Sequence, residues 1–155
     1  MGQYRERSDN RGRSDNNEIG KILDEIGKLE MLKDLSIKLI ADENGYADKI
    51  AHTLRNMKTA QLRRFFGAIK LIERTIEEEN SEKAWDEVEA EFYLLKPKIA
   101  YAKGRKLIPE EFYQVLKVSL NKINVGTNED KIENFKRFVK FLESIVAYHK
   151  FYGGD

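Results

Sequence analysis

The chain has no cysteine among its 155 residues, which excludes disulfides, thiolate nucleophiles and thiolate metal sites. Histidine and proline occur only twice each, as His52 and His149 and as Pro97 and Pro109. No apolar run approaches the roughly 18 residues that a membrane span needs. The N-terminus carries no apolar stretch of the kind a secretory signal requires, so the expected location is the cytoplasm. Glycine-rich phosphate loops, serine nucleophile elbows and His/Asp metal spacings are also missing. His52 and His149 fall on different predicted helices, and His149 lies on the apolar side of the last one, where a core histidine is the simpler reading. Glu77, Glu78 and Glu79 are consecutive, so on a helix they diverge, whereas a metal needs convergent ligands. The sequence therefore offers no catalytic residue, metal ligand or cofactor site. A metal-dependent RNase using Glu78 or His149 is the rival that catalysis would require.

What is present suits one soluble helical domain. Apolar residues make up 41% and charged residues 35%, a length and mix that can bury a sizeable core. Long stretches of Lys, Glu, Leu and Ile favour helix. The expected fold is all-α, a single-domain bundle of five or six helices over residues 18–152. Residues 1–17 hold no branched aliphatic side chain and repeat Arg-Ser-Asp-Asn at 7–10 and 13–16. Such a segment cannot offset its ordering entropy, so a disordered arm is expected. Its four arginines interleave with three acids, leaving either an RNA-brushing tail or one with no specific role.

The apolar spacing predicts a first helix from Glu18 to Ala41, with Met31, Leu35 and Leu39 forming a second apolar face, and a shorter helix over Ala47–Asn56. Thr59 is the predicted N-cap of a helix running to Glu79. Its buried stripe is Leu62, Phe65, Phe66, Ile69, Ile72 and Ile76, and Arg63, Arg64 and Lys70 project away from that stripe. A helix from Glu82 carries Trp85, Val88, Phe92 and Leu95 inward. Pro97 is expected to break it near Lys96 and to start a fresh helix, with Gly104 as a left-handed terminator. Pro109 opens the next helix, and the turn Asn124–Thr127 precedes a last helix to Phe151. That helix bears a second stripe, Arg137, Phe141, Tyr148 and Phe151, suited to a protein interface, to base stacking or to packing against the first helix.

Net charge is only +1, yet the charges are segregated. Lys49 to Ile72 contains six Lys or Arg and no acid; Glu73 to Glu91 contains nine acids against Arg74 and Lys83; Phe92 to Pro109 again has five Lys or Arg and no acid. Local potential, rather than total charge, steers a polyanion. Lys58, Arg63 and Arg64 surround one predicted helix start and Lys96 and Lys98 another, where free amides and the helix dipole favour phosphate. Lys98 and Arg105 share one side of the following segment. Two such blocks fit either an anion-binding surface or a solvated face.

Three segments resemble the small subunit of type III-A CRISPR effector complexes, the Csm complexes: Lys58-Thr59-Ala60-Gln61-Leu62-Arg63-Arg64-Phe65, then Leu94-Leu95-Lys96-Pro97-Lys98 continuing to Arg105, then the ending from Phe138 to Gly154. The resemblance covers residues 21–154 and is most specific in the Leu-Leu-Lys-Pro-Lys segment. It implies a helical, non-catalytic subunit stacked in several copies, head to tail, along the guide RNA–target RNA duplex, with other Csm subunits as partners, in support of antiviral RNA interference. The RNA contacts it implies are Lys58, Arg63, Lys96, Lys98 and Arg105; helix geometry adds Arg64. The acidic helix and the Phe141/Tyr148 stripe are the candidate faces between copies, and the second face of the first helix suggests a dimer of the isolated chain. The alternative is a helical protein–protein adaptor without direct RNA contact.

Overall fold

The computed structural model describes residues 17–153. The arm expected at 1–17 lies outside the described residues except for Asn17, which is already helical. The elements are α1 (residues 17–27), a 3-10 turn (Leu32–Asp34), α2 (Ile37–Ala41), α3 (Tyr46–Thr53), α4 (Thr59–Glu79), α5 (Ala84–Gly104), α6 (Glu110–Leu120) and α7 (Asn128–Phe151). No strand occurs among the described residues, so the all-α bundle is what forms.

The hub of the bundle is α7, which packs against α3, α4, α5, α2 and the 3-10 turn. Its start is fixed locally. Thr127 caps the Asp130 amide and Asp130 in turn accepts from the Thr127 amide, a reciprocal capping box. Gly126 precedes it at φ 87°, a left-handed position where a Cβ would collide with the Asp130 carboxylate. Phe135, Phe138, Val139, Leu142 and Ile145 point into a core that also takes Trp85, Phe92 and Phe112.

The long N-terminal helix expected over 18–41 does not form; the segment divides into α1, the 3-10 turn and α2. Tertiary hydrogen bonds replace helical ones. The Leu32 amide donates to the Lys122 carbonyl at 3.0 Å and the Lys33 amide to Asn134 Oδ1 at 2.8 Å. Asn134 is wholly buried and its Nδ2 donates to the Ile123 and Val125 carbonyls, so one amide ties this segment to the α6–α7 turn. Further along, Arg137 donates to the Leu35 carbonyl and Tyr148 to the Ala41 carbonyl. Residues 32–41 thus strap across the second stripe of α7, leaving Phe141 only 1% exposed. Phe141 and the Tyr148 hydroxyl are engaged within the chain, whereas Phe151, the last residue of that stripe, stands 78% exposed. The helix apolar on both sides is α7, while Ile37 and Leu39 are left exposed on α2. The second apolar face assigned to a first helix falls with that helix.

Three further expectations change. Thr59 is the first residue of α4, not its cap; Lys58 occupies the cap without a side-chain hydrogen bond, and the Thr59 hydroxyl is buried with no partner. Pro97 does not break α5, which runs through it unbroken. Tyr93 and Pro97 are both exposed, so the ring and the carbonyl deprived of its donor lie on the outer side of the helix, where water can serve. Gly104 is helical, and the left-handed residue after α5 is Lys106 at φ 60°.

Candidate nucleic-acid interface

The α4 helix begins with its amides free of any side-chain cap and with Lys58 at the cap position. Its residues Gln61, Arg64, Phe65 and Ala68 recur at helical spacing and form one wall of a groove. The antiparallel α5 supplies the other wall through Leu94, Pro97, Lys98, Tyr101 and Ala102, also one helical face. The groove encloses about 570 Å³ and no acid lines it. Gln61 and Leu107 are shared with a second depression of about 720 Å³, which adds Lys58, Lys103 and Lys106 and contains Glu110. Together they make one continuous trough along the α4–α5 seam.

This arrangement sorts the six residues singled out by sequence. Arg64 and Lys98 line the central groove and Lys58 the adjoining depression. Arg105, the C-cap of α5, donates to the Tyr101 hydroxyl at 2.7 Å and so joins the trough through a residue of its wall. Arg63 and Lys96 line neither depression. Arg63 is exposed, roughly 100° around α4 from Arg64. Lys96 lies over the Tyr93 ring, 5.6 Å from its centroid, where Tyr93 accepts from the Asn124 amide. Only the first basic block sits at a helix N-terminus. Because α5 is continuous, Lys96 and Lys98 are mid-helix, and the second expected helix start does not exist.

Lys70, expected to be solvent-facing and unopposed by acid, is half-buried and paired with Glu73 at 2.5 Å and Glu143 at 3.3 Å. Those partners raise its ammonium pKa, and the contact ties α4 to α7 instead of offering a free cation. Lys103 is engaged by Glu110 at 2.9 Å. The Glu110 carboxyl is held below its ordinary range by Gln114 and Lys103. Residues that sequence reasoning did not select are Gln61, Tyr101 and Lys106. Tyr101 had a legible signal, since it stands three residues after Lys98 and four before Arg105. Lys106 had none, because its place depends on the turn that ends α5.

The remaining candidates are accounted for by packing. His149 is 1% exposed, with Nε2 3.0 Å from the Leu54 carbonyl and 3.1 Å from that of Met57. Both partners are acceptors, so this nitrogen carries the hydrogen. His52 packs its ring edge-on against Tyr152 at 5.1 Å. Glu77, Glu78 and Glu79 are exposed. Nowhere among the described residues do three or more His, Asp or Glu converge as metal ligands. No helix there is long and apolar enough to cross a membrane.

Fold and site define a class: a small helical protein whose most distinctive surface is a cation-lined, acid-free groove between two long helices. Residues 34–155 match the Csm2 type III-A family, and the chain belongs to it. It is a small subunit of the CRISPR type III-A Csm complex, in a family of structural rather than catalytic subunits. Neither a curated protein nor a solved structure matches the chain.

Proposed function

We propose that the α4–α5 trough grips the sugar–phosphate backbone of the guide–target RNA duplex, without reading its sequence, while other Csm subunits hold the guide and cut the target. The observation that carries this reading is convergence. Two acid-free basic blocks, separated in sequence by an acidic one, line a single groove through Arg64 and Lys98 and extend to Lys58 and Arg105. Guide sequence varies, so a shared subunit must use phosphates and duplex shape, which carry no base information. Few contacts per copy bind weakly alone. Several copies stacked along one duplex gain by effective concentration, and a repeating stack uses head-to-tail contacts. In that role the subunit supports antiviral RNA interference. The exposed acids Glu77–Glu79 remain available as a face toward a neighbour.

The adaptor reading is favoured by one observation, the apolar character of the groove floor at Leu94, Pro97 and Leu107. Replacing Lys58, Arg64, Lys98 and Arg105 with alanine separates the two. RNA binding by the assembled complex should fall and its salt dependence flatten by roughly 3 to 3.5 in logarithmic slope for each copy on the duplex. Unchanged RNA binding with folding and assembly intact leaves the adaptor.

A further inference from the structure

A sugar–phosphate backbone accounts for the cations of the α4–α5 groove but not for its floor. Leu94, Pro97 and Tyr101 follow one another at spacings of three and four residues, so they share one face of α5, and all three are exposed. Leu94 stands 49% and Tyr101 60% exposed. Phe65, partly buried, lines the same groove from α4. Phosphates gain nothing from an apolar floor, and water leaves that surface unburied. The Tyr101 ring is also held in place before any ligand arrives. Its hydroxyl accepts from Arg105 Nη1 at 2.7 Å, and the Arg105 Cζ stands 5.6 Å from the ring centroid.

Besides the Tyr101 hydroxyl, the polar side chains lining the groove are Gln61, Arg64 and Lys98, with no acid among them. The fitting occupant is therefore apolar on one face and anionic beside it. An extended peptide would bring backbone donors and acceptors that two helix walls, their own hydrogen bonds closed, cannot meet. A nucleotide matches better, since every base has a face that stacks on an aromatic ring and carries its charge on the adjoining phosphate. The groove encloses about 570 Å³, within the roughly 300 to 1,000 Å³ of small-ligand sites. We propose that it holds one unpaired nucleobase, stacked on Tyr101 against Leu94 and Pro97, while Arg64 and Lys98 take the flanking phosphates. This site deepens the RNA grip proposed above and rests on it. A paired base is stacked between its neighbours and shows no face, so the groove selects RNA with an interruption in its pairing over a continuous duplex. Gln61 carries a donor and an acceptor on one amide and can meet the edge of any base, so the selection is for an unpaired base and not for its identity.

Two RNA duplexes with the same backbone separate base from phosphate. One carries a single bulged adenosine; in the other that nucleotide is abasic. Fluorescence anisotropy with the full chain at low salt should show the adenosine bulge bound roughly tenfold more tightly. Both RNAs should share one salt slope, because their phosphates are the same. Tyr101→Ala should bind the two alike, near the wild-type affinity for the abasic one, with unchanged circular dichroism. Tyr101→Phe keeps the ring and loses only the hydroxyl, so it should keep the preference. R64A/K98A should weaken both RNAs together and flatten both slopes. Equal binding of the two RNAs by wild type overturns the base site and leaves the groove to a protein segment, while a steep shared salt slope in that result still upholds the backbone grip. A preference that survives Tyr101→Ala, or one that Tyr101→Phe abolishes, also overturns stacking on this ring. Binding of neither RNA sinks the grip and the base site together.

Discussion

Asp130 accepts from the amide and hydroxyl of Thr127 and holds Lys33 Nζ at 2.5 Å. The Lys33 contact, then the Thr127 hydrogen bonds, hold its carboxyl down to about 2 from an ordinary 3.8. A depressed carboxyl stabilises the fold above its unfolded value and loses that contribution as pH falls through the folded one. Acid unfolding followed by circular dichroism should therefore show a falling limb between 3.8 and about 2 that Asp130→Asn lacks, the variant being less stable than wild type at neutral pH. Thr127 was legible as part of the turn before the last helix. The pairing of Lys33 with Asp130 was not, since nothing local joins positions 97 residues apart. The same limit applies to Asn134, an ordinary helix residue by pattern whose buried amide organises two loops. His149 was legible as a core histidine because its helical phase alone puts it on the apolar side.

Among the elements, the spacing of apolar residues predicted α4, α6 and α7 closely, since each carries a stripe facing the core, α7 with a second one beneath the strap. It failed where a segment's hydrogen bonds go elsewhere in the chain. Residues 28–41 have helical spacing, yet they are held by Lys122, Asn134, Arg137 and Tyr148 as a strap. It failed again at Pro97, where a local rule was overridden by packing on both sides: Leu95 and Ile99 are anchored in the core and carry the helix across. A proline kept within a helix implies latent stability. Pro97→Ala would restore the hydrogen bond to the Tyr93 carbonyl, a gain of about 3 kcal/mol in helix propensity, less up to about 1 kcal/mol from the freer unfolded chain. Urea denaturation should thus show the variant more stable by about 2 kcal/mol, whereas a destabilised variant means the proline shapes α5.

At the scale of the whole molecule, a net charge of +1 conceals a trough rich in cations, with Glu110 the one acid lining it, and an adjoining depression lined by Glu87 and Glu91 as well as Lys98. The basic blocks were readable from sequence, but their convergence was not, because it depends on α4 and α5 running antiparallel and on Pro97 leaving α5 intact. That convergence divides the six sequence-selected cations by position. Lys58, Arg64 and Lys98 line the trough and Arg105 is tied to its wall through Tyr101, whereas Arg63 and Lys96 project from other sides of the same helices. A backbone lying in the trough touches the first set and passes the second at a distance, where exposed charges are screened beyond about 8 Å at physiological ionic strength. Removing one cation that pairs with a phosphate should lower the logarithmic salt slope by roughly 0.7 to 0.9. Alanine at Arg64 and Lys98 should therefore lower the slope by close to twice that amount, and alanine at Arg63 and Lys96 by much less. Binding to double-stranded RNA, titrated from low to moderate salt, measures both. Equal reductions from the two pairs would mean that RNA wraps the α4–α5 hairpin instead of lying along its seam; a larger reduction from Arg63 and Lys96 would move the interface to the opposite faces of both helices.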